Sequence, residues 1–252
     1  MSPGAAVSLR NLQLGFDGKV AARVDFDVAP GEIVVFLGPS GCGKSTILRA
    51  LAGLLPPIGG TISIGGAALT GRDAQCAMVF QEDALLPWRS ATKNVQYALK
   101  LRGLRGKELT KTAASLLAQV GLGAYLDHLP LQLSGGMRQR VQLARTLACE
   151  PRVMLMDEPF GALDAQTRID MQQLLIRVWE THRMTVLFVT HDVDEALLLA
   201  DRVVLLSHRP ATVADVITIE DPRNQEAPFT ELYQQRRRDI LEFLGHGTTA
   251  KV

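Results

Sequence analysis

The chain has 252 residues, 47% of them hydrophobic, which is enough to build the core of one large domain or two small ones. Its 27 basic and 26 acidic side chains nearly cancel, so the sequence lacks the overall basic charge that usually accompanies nucleic-acid binding. Three scattered cysteines fit neither a disulfide framework nor a zinc site, which indicates a reducing, cytosolic compartment.

The first 81 residues alternate short apolar segments with turn signals. VSLRNLQL, VDFDV and EIVVF are predicted strands of a small, partly antiparallel sheet that leads into a buried strand. A helical pattern follows Thr46 and ends at Pro56 and Pro57, after which TISIGG predicts another strand.

The second half of the chain is predicted to place a helical insert ahead of a parallel sheet. Residues 82–150 are mostly helical by periodicity, with glycine breaks. Near-continuous apolar strands follow at 152–157 and 184–190, and they flank a helix at about 165–182. This order of strand, helix and strand predicts an α/β domain whose parallel sheet is covered on both faces.

The segment GPSGCGKST, residues 38–46, lies between a predicted strand and a helix, as the phosphate-loop motif G-x-x-x-x-G-K-[ST] requires. Its glycines let successive N–H groups point at phosphate oxygens, and the helix N-terminus adds partial positive charge. Lys44 is the candidate partner of the β and γ phosphates, and Ser45 is the candidate magnesium ligand. Cys42 is expected inside this cradle, where alkylation would block nucleotide binding. The alternative is a glycine-rich turn that contains a lysine by chance.

The segment VMLMDEP ends a buried strand in two adjacent carboxylates, Asp157 and Glu158. Neighbouring strand side chains point to opposite sides, so one carboxylate can face a metal while the other faces water. Asp157 fits the magnesium role, and Glu158 is the candidate general base for the attacking water. The alternative is an ordinary strand terminus with solvated acids.

The segment LSGGMRQR, residues 133–140, is a second glycine-rich stretch that opens a helix. Ser134, Gly135 and Gly136 precede an apolar stripe that begins at Met137. Free N–H groups at this N-terminus are expected to face outward, where they favour a γ phosphate. The alternative is a serine-capped helix with a flexible glycine entry.

Six motifs in one order resemble the ATP-binding cassette of ABC transporters, over roughly residues 7–210. They are GPSGCGKST, VFQED, LSGGM, VMLMDEP, GALD and VTHD. The resemblance implies an α/β P-loop NTPase of the ABC ATPase type, with a RecA-like core, a small antiparallel β subdomain and a helical subdomain. The implied boundaries are a single domain at 7–240, with core and β subdomain at about 7–81 and 151–215, a helical subdomain at about 82–150, and a C-terminal helix and tail at 216–252, the helix lying near 229–244.

The resemblance also implies hydrolysis of ATP with Mg²⁺ by a homodimer, in which each ATP lies between the phosphate loop of one subunit and the LSGGM segment of the other. The implied catalytic residues are Glu158, His191, Gln81 and Lys44, and the implied metal ligands are Ser45, Gln81 and Asp157. The implied nucleotide contacts are Phe16, Gly38, Pro39, Ser40, Gly41, Cys42, Gly43, Lys44, Ser45, Thr46, Ser134, Gly135, Gly136, Met137 and Asp164. A core phenylalanine is the alternative for Phe16, and Met137 in place of the commoner glutamine predicts an altered affinity or rate.

No apolar run approaches the roughly 18 residues of a membrane span, so membrane contact is expected only through a partner. The resemblance implies two transmembrane permease subunits, a periplasmic substrate-binding protein reached through them, no nucleic acid, and a place at the cytoplasmic face of the bacterial inner membrane.

The segments LLPWR and DEPFGALDAQTR resemble the nitrate, sulfonate and taurine importer family, and they look closest to its taurine importer ATPases. Leu85, Leu86 and Trp88 are predicted to form an apolar lip for a permease helix, with helix-edge core as the alternative. Import of an alkanesulfonate, nitrate or a thiamine precursor is the competing function, followed by a soluble ABC ATPase of DNA repair or translation.

Overall fold

The computed structural model describes residues 3–16, 19–82, 84–220, 223 and 227–246. The described residues form two sheets and the helices that cover them. The strands are β1 (Val7–Phe16), β2 (Lys19–Val28), β3 (Ile33–Leu37), β4 (Gly59–Ile64), β5 (Ala67–Ala68), β6 (Cys76–Val79), β7 (Val153–Asp157), β8 (Thr185–Thr190), β9 (Arg202–Leu206) and β10 (Val213–Thr218). The helices are α1 (Lys44–Leu51), α2 (Ala91–Leu101), α3 (Gly106–Gln119), α4 (Gly135–Leu147), α5 (Ala165–His182), α6 (Val193–Leu199) and α7 (Glu231–His246), with 3₁₀ turns at Pro130–Gln132 and Ala227–Phe229.

The smaller sheet is antiparallel, with the strand order β2-β1-β4-β5 in the described residues. Its inner face packs with α1 on one side of the larger sheet, and together they enclose an apolar cluster that includes Leu12, Phe36 and Ile47. This sheet confirms the small antiparallel sheet that the N-terminal strands predict.

The larger sheet has the order β10-β9-β3-β8-β7-β6 in the described residues. The strands β9, β3, β8, β7 and β6 are parallel, and β10 runs antiparallel to β9 at one edge. The predicted buried strands at 152–157 and 184–190 are β7 and β8. The sequence pattern had not indicated β5, β6, β9, β10 or α6.

Helices cover the second face of the larger sheet and enclose a separate apolar cluster. Along β3, Val34 and Phe36 point into the cluster under α1, whereas Val35 and Leu37 point into the cluster formed with α2–α6. This alternation explains why β3 is apolar at every position, because a strand covered on both faces has no solvent side. The predicted α/β fold class is confirmed.

The C-terminal helix α7 packs on α6 through a buried tyrosine. The Tyr233 hydroxyl donates a hydrogen bond to Asp194 Oδ1 at 3.1 Å, and burial raises the pKa of this phenol. The Arg237 guanidinium contacts the same Asp194 oxygen at 2.9 Å. Within the described ranges, no helix combines the length and the apolar character that a bilayer span requires.

Candidate active site

Four of the predicted motifs meet at one edge of the larger sheet, where its parallel strands end. The phosphate loop follows β3, Asp157 ends β7, His191 follows β8, and Gln81 lies just beyond the end of β6. The strand register aligns these ends: Leu37 pairs with Thr190, and Asp157 pairs with Val189. The carboxyl ends of parallel strands form the usual ligand crevice of open α/β sheets, so this edge is the candidate active site.

The phosphate loop encloses a cavity of about 210 Å³ in front of α1. Gly41 and Gly43 have φ angles of 74° and 124°, a backbone region that side chains rarely adopt. A β-carbon on Gly38 would lie 2.9 Å from the Leu206 carbonyl oxygen. The residues that line the cavity are Ser40, Gly41, Gly43, Lys44, Ser45, Thr46 and Glu158.

The Lys44 ammonium is buried and points back at the loop that it follows. Its Nζ donates hydrogen bonds to the carbonyl oxygens of Gly38 at 2.7 Å and Pro39 at 2.9 Å. These bonds compensate the burial of the charge and hold it beside the cavity. The arrangement fits a binding site for phosphate oxygens, which are stronger partners than carbonyl groups for a cation.

The Cys42 side chain points away from the cavity and into the apolar cluster under α1. It is only 2% exposed, and burial raises the pKa of its thiol against the opposing effect of the Lys44 charge. The expectation that this thiol lies inside the phosphate cradle is therefore wrong. The Cys42 N–H donates to the Pro39 carbonyl oxygen at 3.3 Å within the loop.

Ser45 and Asp157 form a pair of oxygen donors beside the cavity. The Ser45 Oγ donates to Asp157 Oδ1 at 2.8 Å, and the carboxyl is nearly buried. Burial raises the pKa of Asp157, the Ser45 hydrogen bond opposes that shift, and the charge of Glu158 adds to it. Hydroxyl and carboxylate oxygens are the ligands that Mg²⁺ prefers, so these two residues fit a magnesium ion, which when bound would supply positive charge to the phosphate oxygens.

Glu158 borders the cavity and is oriented by His191. The Glu158 Oε2 lies 3.0 Å from His191 Nδ1. The residue has a φ of 43°, a strained value for a side chain that is not glycine, and its N–H donates to the Val189 carbonyl oxygen at 2.9 Å. The ladder of β8 therefore holds the backbone in a conformation that turns the carboxylate toward the phosphate loop.

A buried polar network supports the His191 loop, and sequence reasoning missed it. The Thr190 Oγ1 donates to Glu195 Oε2 at 2.7 Å, and burial raises the pKa of Glu195. Arg168 of α5 donates to Asp192 Oδ2 at 3.2 Å. The acidic residue Glu195, directly before the apolar run ALLLA, was the available sequence signal for this network.

The N-terminus of α4 combines the two alternatives that the sequence left open. Ser134 caps the helix, since its Oγ accepts a hydrogen bond from the Met137 N–H at 3.3 Å. Ser134 and Gly135 are nevertheless exposed, so this tip is available to a ligand or a second chain. Met137 is half-buried and packs against the helical core.

Gly136 brings α4 against the start of α5. A β-carbon on Gly136 would lie 2.3 Å from the Thr167 methyl carbon. Asp164 caps α5 by accepting hydrogen bonds from the Thr167 N–H at 3.0 Å and the Thr167 hydroxyl at 2.7 Å, and these bonds lower the pKa of the Asp164 carboxyl. The GALD and LSGGM motifs are therefore neighbours within one chain.

For two predicted site residues, Gln81 and Phe16, the structure gives no side-chain contact that supports the predicted role. Gln81 is exposed, and its side-chain amide forms no hydrogen bond with another described residue. Phe16 ends β1, and its side chain lies outside the described part of the chain. The metal and adenine contacts of these two residues remain predictions.

Comparison with known proteins identifies close sequence relatives. A family model described as ABC transporter matches residues 21–161. The chain is 45% identical to the nitrate import ATP-binding protein of Synechocystis sp. over 91% of this chain and 87% of that protein. It is 43% identical to the taurine import ATP-binding protein of Yersinia pestis over 84% of each chain.

A solved structure resembles the fold as a whole. It is the dimeric structure of an ATP-binding cassette in a post-hydrolysis state, bound to ADP and Pi. The TM-score is 0.75 at 31% sequence identity, and the match covers 86% of this chain and 100% of that chain.

We expect Cys42 to react more slowly than Cys149 with iodoacetamide at about pH 8, because the Cys42 thiol is buried whereas Cys149 is half-buried. Timed samples analysed by peptide mass spectrometry give each rate, and the half-buried Cys149 serves as the internal comparison. In guanidinium chloride all three rates should become similar. Fast labelling of Cys42 in the folded protein would place the thiol on the open side of the loop and contradict its observed orientation.

Proposed function

The chain belongs to the ABC transporter family and is an ATPase. On this premise we propose that it energises the import of taurine or a related sulfonate through separate permease subunits. The observation that carries the proposal is the Glu158 carboxylate, which borders the phosphate-loop cavity and lies 3.0 Å from His191. A base that faces the γ-phosphate position is what hydrolysis needs beyond nucleotide binding.

In the proposed reaction, the chain holds the phosphates and positions one water molecule. The loop backbone and Lys44 bind the β and γ phosphates, and Ser45 and Asp157 would hold a magnesium ion, which would supply positive charge to the phosphate oxygens. The water oxygen attacks the γ phosphorus while its proton passes to Glu158, and the bond to the ADP oxygen breaks with its electron pair on ADP. His191 holds the Glu158 carboxylate in place.

We propose that the complete site forms between two copies of the chain. The exposed tip at Ser134 and Gly135 carries the positive end of the α4 dipole but lies outside the phosphate-loop cavity of its own chain. A second copy, related by a twofold axis, would present this tip to the γ phosphate. Similarity to a dimeric cassette bound to ADP and Pi supports this arrangement.

We expect the Glu158→Gln substitution to lower the rate of ATP hydrolysis by about 10² to 10⁴ fold, because it removes the base while keeping the shape of the side chain. Nucleotide affinity, measured by fluorescence of a labelled ATP analogue, should remain close to the original. Sedimentation velocity in MgATP should show the variant as a dimer, since bound ATP persists. Hydrolysis by the variant at the wild-type rate would exclude the proposed site. So would a failure of two variant subunits to associate at saturating MgATP, even when they are bound to the permease.

The segment after Gln81 provides a surface for the permease. Asn94 is fully buried, and its amide bonds the backbone of residues 86–90: it accepts from the Leu86 N–H at 2.9 Å and donates to the Arg89 carbonyl oxygen at 2.9 Å. This rigid loop leaves Trp88 72% exposed. A large aromatic side chain on a rigid, exposed loop is typical of an interface anchor.

Only part of the predicted apolar lip faces outward. Leu85 is buried in the helical core, which is the alternative that the sequence left open, and Leu86 is half-buried. Trp88 therefore carries the docking proposal. Docking would place the ATPase at the cytoplasmic face of the bacterial inner membrane, where the permease connects it to a periplasmic substrate-binding protein.

We expect Trp88→Ala to uncouple transport from hydrolysis, because truncation removes the anchor without touching the nucleotide site. The ATPase rate of the isolated chain should be unchanged, whereas its stimulation by transported substrate in the reconstituted complex should fall by about tenfold or more. Phe229→Ala, which alters a similarly exposed aromatic residue before α7, is the control. Full stimulation of the Trp88→Ala complex would argue against this docking surface.

Taurine or a related sulfonate is the substrate that we favour. The LLPWR and DEPFGALDAQTR segments and the 43% identity to a taurine import protein support it. Nitrate is the second candidate, because a nitrate import protein matches at 45% identity over more of the chain. Both substrates are small molecules with an anionic oxygen group, and the ATPase itself is not expected to contact either.

The complex reconstituted with its binding protein should distinguish the two substrates. We expect taurine, supplied with the binding protein, to stimulate ATP hydrolysis by the complex in liposomes, and nitrate to leave the rate at its basal value. An alkanesulfonate serves as the related control. Stimulation by nitrate alone would overturn the assignment of taurine while leaving the importer role in place.

A further inference from the structure

Three side chains on one face of α4 hold the backbone of the segment that carries Gln81. The Gln139 Nε2 donates to the Gln81 carbonyl oxygen at 3.3 Å. The Gln142 Nε2 donates to the carbonyl oxygens of Phe80 and Glu82, each at 3.3 Å. The Arg145 Nη1 donates to the Ala84 carbonyl oxygen at 2.8 Å. We call residues 80–82 and 84 the glutamine loop.

The three donors are spaced along α4 so that the helix contacts the glutamine loop at several successive points. Positions 139, 142 and 145 are three residues apart, so their side chains lie along the same face of the helix. Gln139 contacts residue 81, Gln142 contacts residues 80 and 82, and Arg145 contacts residue 84. The loop backbone therefore runs along α4, with Gln81 at the centre of the contact.

Gln142 is unusual because it leaves part of its own amide unsatisfied. The side chain is 0% exposed, and its Oε1 has no hydrogen-bond partner among the described residues. An aliphatic residue would fill this helix position without burying an unpaired acceptor, so packing does not explain a glutamine here. Both contacts of the amide nitrogen go to the glutamine loop, which points to a role in placing that loop.

We propose that Gln142, assisted by Gln139, is a positioning residue that fixes the Gln81 backbone and ties it to the nucleotide-contacting tip of α4. The inference rests on the proposed function, in which Gln81 serves the site of its own chain and Ser134 to Met137 serve the site of the partner copy. Gln139 lies about 8 Å along the helix from the tip, given a rise of about 1.5 Å per residue. A rigid helix of this length moves the glutamine loop and the tip together.

This link gives a physical route between the two nucleotide sites of the proposed dimer. Displacement of the glutamine loop, next to the proposed permease anchor Trp88, shifts α4 and so shifts the tip presented to the other copy.

The first test compares Gln142→Leu with Thr146→Val in the purified full chain. Both residues are buried on α4 and both substitutions remove side-chain hydrogen bonds, but Thr146 bonds only the Gln142 carbonyl oxygen of its own helix, at 3.0 Å. We expect Gln142→Leu to lower kcat for MgATP roughly 5- to 20-fold with little change in KM, and Thr146→Val to leave kcat within about twofold. An equal loss in both variants, or no loss in Gln142→Leu, overturns the inference.

A double-mutant cycle tests whether Gln142 acts through Gln81. In a Gln81→Ala chain, adding Gln142→Leu should lower kcat by less than about twofold, because the group being positioned is already gone. If the loss in kcat of the double variant equals the product of the losses in the two single variants, the residues act independently and the inference is overturned. If Gln142→Leu does not fold, Gln139→Met replaces it in the same double-mutant cycle, because Gln139 contacts the Gln81 carbonyl oxygen directly.

Amide hydrogen exchange separates this inference from the proposed function. Residues 80–82 should exchange faster in Gln142→Leu than in Thr146→Val, while exchange in β7 and β8 stays unchanged. This measurement requires no hydrolysis, so original exchange rates at 80–82 overturn the inference whatever the activity. Conversely, if the wild-type protein and the Glu158→Gln variant hydrolysed ATP equally slowly, the proposed function would be refuted. The exchange rates at residues 80–82 would still test the contact between Gln142 and the glutamine loop.

Discussion

The structure depends on the parallel alignment of β3, β8, β7 and β6. A strand that is buried on both faces has no free side for a charged group, so polar chemistry is confined to the point where it ends. Here the ends coincide in register, and each is followed by a different functional segment. Residues that are more than 100 positions apart in sequence, such as Ser45 and Asp157, thereby come within hydrogen-bond distance.

The charged groups at this edge are held by local partners. The Lys44 ammonium bonds two loop carbonyl oxygens, the Asp157 carboxyl bonds a hydroxyl, and the Glu158 carboxylate bonds an imidazole. Each partner compensates part of the cost of removing these groups from water. Phosphate oxygens and a divalent cation are stronger partners than these, so the site is preorganised for them.

The sequence predicted those parts of the fold and site that have a local sequence pattern, and it did not predict those that depend on contacts between distant residues. The strands β7 and β8 are continuous apolar runs beside motif residues, so both they and the sites at their ends were predictable. The apolar run of β6 is only four residues long, and the half-exposed edge strand β10 lacks a regular alternation of apolar and polar residues, so neither was distinguishable from a loop. The orientation of the Cys42 side chain, the burial of Leu85 and the contacts of Gln142 depend on neighbours that are distant in sequence, and no local pattern encodes them.

The contact between Gly136 and Thr167 has a mechanical consequence. It places the Thr167 methyl group directly against the backbone of α4, so the helical insert meets the sheet-based core at this point through dispersion contacts. Any residue larger than glycine at position 136 would require the Thr167 side chain or the two helices to shift, and with them the spacing between the insert and the core.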